Sequence, residues 1–212
     1  NQRTDPLFTT MKNCVDKGTL GSIQRTHWTM TNWFRPEVYF MASDWRATWK
    51  GEGGGLLVNQ CIHNLDIMQW ICGMPISLRG HCSFGKYHNI EVEDEASAFL
   101  NYENGATGFF TGSTGEAPGI NRFDIIGDLA TLSFDGENLT LLENSESTSA
   151  FCKNTSDMFG MPGLTTNDLT PDRSVNQHAA IIQNFVNAIQ RKEALIAPAS
   201  TGLNSLALAN AI

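Results

Sequence analysis

The feature that most restricts the fold is a run of short alternating segments between residues 76 and 143, joined by links of turn length. Expected strands lie near 76–87, 93–102, 106–114, 120–127, 130–135 and 138–143. Asn104-Gly105 and Asp135-Gly136 supply hairpin turns, because the tight turns that match strand twist need residues tolerant of positive φ. Strands linked this closely pair antiparallel, since a parallel pair needs a crossover of about a dozen residues or more. A longer alternation runs from Gly21 to Phe34 and is broken by Arg35-Pro36. It places Ile23, Arg25, His27, Thr29, Thr31 and Trp33 on one face.

Helical signals stand apart from the strand run. Asp5-Pro6 reads as an N-cap followed by Pro at the first helical position, giving a helix over 5–17 closed by Gly18. Gly53-Gly54-Gly55 precedes a helix expected over 55–72 and stopped by Gly73 and Pro75. A third covers 174–191, with Ala179, Ile182, Phe185, Val186 and Ile189 as its apolar stripe. A fourth begins near 201 and is still running at Ile212. The expected fold is α+β, an open, mostly antiparallel sheet with helices packed on one face. We read residues 1–212 as one domain. The aromatic stretch 37–52 reads as a loop over a cleft, and the Ser-, Thr- and Asn-rich stretch 145–173 as a long excursion.

Charge and cysteine usage narrow the class. Lys+Arg total 14 against 22 Asp+Glu, a net charge of −8, which argues against nucleic acid or an anionic membrane surface as partner. No apolar run reaches the roughly 18 residues of a membrane span. Five cysteines at 14, 61, 72, 82 and 152 form no paired short spacing. Cys61-x-His63 has no answering second pair, so free thiols in a reducing, cytoplasmic setting are expected, with neither a disulfide scaffold nor a metal site. The chain shows no signal-peptide pattern and does not open on Met, so it reads as a fragment or processed chain.

On a wheel of roughly 100° per residue, Leu57, Cys61, Leu65, Met68 and Cys72 of the 55–72 segment form one apolar stripe. Asn59, His63, Asp66 and Trp70 cluster opposite, flanked by Leu56 and Ile62. A solvated face would carry Lys and Glu, so both faces are expected to be covered. His63 has the pKa range for general acid–base work, with Asp66 one turn on to orient it and Asn59 one turn back to meet a substrate hydroxyl. The alternative is a structural His paired to an Asp. The three glycines sit where helix-start N–H groups point outward, and they let a ligand or another backbone approach closely. No Gly-x-Gly-x-x-Gly and no phosphate-loop motif is present.

These pieces together resemble the Gfo/Idh/MocA family of glucose–fructose oxidoreductase, inositol dehydrogenase and relatives. The likeness rests on Trp45-Arg46-Ala47-Thr48-Trp49-Lys50, Gly53-Gly54-Gly55, Asn59-Gln60-x-x-His63-x-x-Asp66, Trp70 and Gly73-Met74-Pro75. Gly18-Thr19-Leu20-Gly21 is similar to that family's turn leaving its Rossmann domain, and 178–189 with 197–212 to its C-terminal helices.

The resemblance implies a C-terminal substrate and oligomerisation domain of an NAD- or NADP-dependent oxidoreductase. The nucleotide would be held by an N-terminal Rossmann domain that also carries a Glu-Lys-Pro motif not found here. His63 would exchange the proton of the reacting hydroxyl. Asn59, Asp66, Trp45, Arg46, Trp49, Gly54 and Gly55 would contact a small polyol or sugar, with Arg122, Arg173 and His178 as further candidates. Asn59 stands where inositol dehydrogenases carry Asp, and Asn cannot act as a base. The Asn-Gln-x-x-His version is similar to relatives acting on other sugars or nucleotide-linked sugars. The isolated chain is expected to be inactive and to form homo-oligomers through its sheet face. A different class of reading is a non-catalytic module of the same fold, used for oligomerisation or partner binding. A metal-dependent hydrolase would need a ligand cluster around His63.

Overall fold

A computed structural model describes all 212 residues. A 3-10 turn at Gln2–Thr4 leads into α1 (Pro6–Asp16), β1 (Ile23–Met30), α2 (Glu37–Met41), α3 (Ile62–Cys72), β2 (Ser77–Phe84) and β3 (Glu93–Asn101). There follow β4 (Thr107–Ser113), β5 (Asn121–Gly127), β6 (Ala130–Phe134), β7 (Leu139–Asn144), α4 (Thr148–Asn154), β8 (Leu164–Asp168), α5 (Gln177–Ile189) and α6 (Ala199–Ala211). The strands form an eight-stranded sheet in the order β2-β3-β4-β1-β5-β6-β7-β8. Pairings β2/β3, β3/β4, β6/β7 and β7/β8 are antiparallel, with Ser77 opposite Asn101, Glu95 opposite Ser113 and Phe134 opposite Leu139. The fold is α+β, as expected.

The chain divides into two compact units. In the unit of Asn1–Thr26 and Asp124–Pro198, Asp5 caps α1 by accepting from the Leu7 N–H at 2.9 Å. The buried Asp5 carboxylate also accepts from Arg173 Nη2 at 2.6 Å and Gln177 Nε2 at 2.8 Å. Leu7, Phe8 and Met11 of α1 are buried, and the Phe8 ring meets Phe134 of β6 edge-on at 6.5 Å.

In the unit of His27–Phe123 and Ala199–Ile212, Ala96, Ala98, Leu100 and Phe110 form the buried face of β3 and β4. Gly112 of β4 matters here: a Cβ at that position would lie 2.8 Å from Cys61 Sγ, so only Gly admits the segment that precedes α3. Trp28 stacks on Phe123 at 4.2 Å and donates its indole N–H to Asn121 Oδ1 at 3.1 Å, which satisfies the one polar atom of a fully buried ring.

Three expectations are corrected. The helix expected over 55–72 is regular only from Ile62. The 37–52 stretch contains the short helix α2, and the 145–173 excursion contains α4 and the edge strand β8.

Candidate functional site

The glycine turn is built around Glu93, the first residue of β3. Its carboxylate is buried and accepts from the N–H of Gly55 at 3.0 Å and of Leu57 at 2.9 Å. Its carbonyl accepts from Leu56 N–H at 2.9 Å. A Cβ on Gly55 would stand 2.2 Å from that same carbonyl. What approaches this glycine closely is therefore the chain's own backbone. The amides of Gly55 and Leu57, expected to point outward, point at a buried carboxylate that does what a bound anion does at other helix starts.

The chain then makes one turn closed by Asn59 N–H to Gly55 C=O at 3.0 Å and a wider one closed by Cys61 N–H to Leu56 C=O at 2.8 Å. The second spans six residues, and the regular helix begins only after it, at Ile62. Cys61 is fully buried, and burial first, with the nearby Glu93 charge second, pushes its thiol up far beyond the ordinary range. It is not a nucleophile at neutral pH. All five cysteines are free thiols.

His63 stands exposed on the first turn of α3, and Asp66 is half-buried on the next. Asp66 Oδ1 accepts from Ser205 Oγ of α6 at 2.9 Å and from Gln69 Nε2 at 3.1 Å. This carboxylate ties α3 to α6. Asn59 Nδ2 donates to Glu52, whose other oxygen accepts from the Ala47 N–H at 2.7 Å. Glu52 thus joins Asn59 to the aromatic loop. The sequence reading missed Glu52, whose only local signal is a carboxylate set between Gly51 and Gly53.

Within the loop, Arg46 packs over the Tyr39 ring at 4.5 Å and the Trp45 ring at 4.7 Å, and donates from Nη1 to Tyr39 Oη at 2.7 Å. Gln60 Nε2 reaches the same hydroxyl at 3.3 Å. Trp49 donates its main-chain N–H to Glu91 Oε1 at 2.6 Å and its indole N–H to Glu91 C=O at 3.1 Å. Trp45 and Trp49 each leave about half of their surface open. A cleft of about 560 Å³ lies here, lined by Glu37, Phe40, Met41, Arg46, Thr48 and Glu91 among others. The aromatic stretch, with α2 at its start, flanks this cleft.

Of the further candidates, Arg173 is engaged with Asp5 at the cap of α1, His178 is exposed at the start of α5, and Arg122 is exposed on β5. A histidine not singled out from the sequence, His88, is buried beside Asp94. Its Nε2 meets Arg35 C=O at 2.7 Å and its ring lies 4.6 Å from Phe40. Asp94 in turn accepts from the N–H groups of Lys86, Tyr87 and His88, which fixes the turn before β3.

The GFO/IDH/MocA C-terminal domain family model matches residues 8–133. Inositol 2-dehydrogenase of Rhizobium meliloti (strain 1021) is 22% identical over all of this chain, which spans 59% of that protein. The WlbA dehydrogenase of Bordetella pertussis, solved with NADH and UDP-GlcNAcA, superposes with a TM-score of 0.76 at 23% identity, covering 99% of this chain and 58% of its own. A levoglucosan dehydrogenase solved with NADH and levoglucosan gives a TM-score of 0.75 at 18% identity, covering 100% of this chain and 60% of its own. The solved structures establish the likeness of fold, the chain spans about three-fifths of these relatives, and the match over more than half its length makes it a member of the GFO/IDH/MocA C-terminal domain family.

Proposed function

We propose that this chain is the C-terminal substrate domain of an NAD- or NADP-dependent oxidoreductase acting on a CH–OH group of a sugar, cyclitol or nucleotide-linked sugar. The observation that carries the reading is family membership together with His63 exposed beside a segment, 45–59, that is braced for contact. In this reading His63 exchanges the proton of the reacting hydroxyl, for which a near-neutral imidazole suits either direction. Asn59, held by Glu52, orients a hydroxyl. Trp45 and Trp49 offer open aromatic surface for a sugar face, and Arg46 offers a fork for an anionic group. Gly54 and Gly55 set the close approach of the turn, and Asp66 fixes the angle of α3 through Ser205.

The nicotinamide cofactor supplies the hydride chemistry. This chain does not fit its pyrophosphate at the glycine turn, because the amides of Gly55 and Leu57 already serve Glu93. We assign the cofactor to a preceding domain of the longer protein, and the isolated chain is inactive in this reading. We further propose that both units act as one domain, that the protein works in the cytoplasm, and that copies associate through the sheet face. There Phe109 is 42% exposed against Phe99 and His27. The second reading is a non-catalytic module of the same fold, in which Asp66 serves to tie α3 to α6 through Ser205.

The deciding experiment compares the longer natural protein with its His63→Ala variant on a polyol and sugar panel, following nicotinamide reduction. The proposal expects a loss of at least roughly a hundredfold in kcat, the usual scale for a positioned acid–base group. Unchanged turnover supports the non-catalytic reading.

A further inference from the structure

α5 carries its apolar stripe outward. Ile182 is 63% exposed, Phe185 56% and Ile189 67%, with Val186 exposed between them. The stripe read from the sequence is there, but nothing in this chain covers it. The one buried residue of the helix is polar. Asn184 donates from Nδ2 to Ala194 C=O and accepts at Oδ1 from Ile196 N–H, both at 2.9 Å. These bonds fold residues 194–196 back onto α5, and Leu195 and Ile196 are exposed there as well. All 13 residues of α5 are uncharged with His178 neutral, while Arg191, Lys192 and Glu193 follow at once. A helix that faces water carries Lys and Glu on its outer side. An uncharged centre with charged residues at its margin is the composition of a buried contact surface.

The place of Asn1 in the fold says what covers it. Asn1 Nδ2 donates to Gln177 Oε1 at 3.3 Å, and Thr4 Oγ1 meets Gln177 C=O at 3.1 Å, both at the first turn of α5. The buried Arg3 donates from Nη1 to Ile196 C=O at 3.2 Å. The first residues of the chain therefore touch α5 at one end and the segment folded back on it at the other. Polypeptide that precedes Asn1 leaves from beside the open stripe. This chain spans 59% of the inositol 2-dehydrogenase it resembles, so a protein of that length holds two-fifths of its residues elsewhere, enough for a domain with its own core. A domain tethered at Asn1 meets α5 at high effective concentration, whereas a second copy has to find it from solution.

We propose that the exposed stripe of α5 is the docking surface for the domain preceding Asn1 in the longer protein, which covers Ile182, Phe185, Val186 and Ile189 with an apolar face of its own. This docking rests on the reading that a preceding domain carries the cofactor. It adds that the domain is seated on α5 rather than held by a linker alone.

Hydroxyl-radical footprinting of the longer natural protein, read by mass spectrometry, tests it. The oxidation rate of Phe185 is compared with its rate in a free peptide of residues 174–191. An open α5, with Phe185 at 56% exposure, gives a slowing of only about twofold. The docked domain is expected to slow it at least roughly tenfold, because side chains at the centre of an interface are desolvated. Ile182 and Ile189 should be protected in step. A slowing of twofold or less overturns the proposal. So does protection that disappears when dilution separates the protein into single copies, since a second copy then covers the stripe. Where copies stay together on dilution, Phe185→Glu decides. Unchanged particle size in sedimentation with Ile182 and Ile189 newly oxidised supports the docked domain, and smaller particles overturn it. Ile189→Lys repeats the test if Phe185→Glu does not fold. An unprotected α5 in a protein whose His63→Ala variant is inactive defeats the docking alone. A protected α5 with a fully active His63→Ala protein defeats the catalytic reading alone.

Discussion

Gly55 and Leu57 donate to Glu93 across a separation of 38 and 36 residues, and neither end of that contact carries a local sign of the other. At the residue scale this is the difference between a glycine run that meets a ligand and one that meets its own chain. The residue types are the same; the buried carboxylate decides. Its removal is accordingly expensive. Glu93→Ala leaves two buried amide donors unpaired, and at roughly 1–3 kcal/mol per group the chain should lose about 2–6 kcal/mol of stability. Glu93→Gln keeps one acceptor oxygen and the side-chain volume, so it should lose less. Urea unfolding followed by far-ultraviolet circular dichroism measures both. Equal stability of wild type and the Ala variant would show that the turn holds without the carboxylate.

Elements were legible where burial imposes a period. β3 alternates buried and half-buried residues from Ala96 to Asn101, and its limits fall within a residue of the expected 93–102. α1 follows from Asp5-Pro6, and the capping contact is there. What could not be read was decided by backbone or distant side chains. β8 is largely exposed and joins the sheet through main-chain pairing with β7, so it leaves no hydrophobic pattern. The first turns before α3 are re-routed by Glu93, which is why the helix expected from residue 55 is regular only from Ile62; of the apolar stripe, Leu57, Cys61, Leu65 and Met68 are buried as expected and Cys72 is half-buried. The start of α4 depends on Asp128, twenty residues away from Thr148. Its carboxylate accepts from Thr148 Oγ1 at 2.7 Å, Ser149 N–H at 3.0 Å and Ser149 Oγ at 3.1 Å. These bonds, that of Thr148 first, hold the Asp128 carboxyl below the usual aspartate range. A depressed folded-state value means that the contribution to stability is present above the unfolded aspartate value and is lost as pH falls through the folded one. Asp128→Asn should therefore lower Tm at neutral pH, and the gap to wild type should close as pH falls below the ordinary aspartate range. A gap independent of pH would mean that the charge plays no part in holding α4.

At the scale of the whole molecule, the question is what a chain spanning 59% of an inositol 2-dehydrogenase can do alone. Nucleotide binding by the usual glycine-rich turn needs free main-chain amides at a helix start. Here the one such turn is filled by Glu93, and the net charge of −8 repels a dinucleotide at long range. Titration of NADH or NADPH into this chain tests this. The nicotinamide's own emission should stay unshifted and unenhanced, because the amides that would cradle the pyrophosphate already serve Glu93. Micromolar binding with a blue-shifted nicotinamide emission would place a complete cofactor pocket within these 212 residues. The assignment of hydride chemistry to a preceding domain would then fail, while the proton role of His63 would still stand on its own measurement.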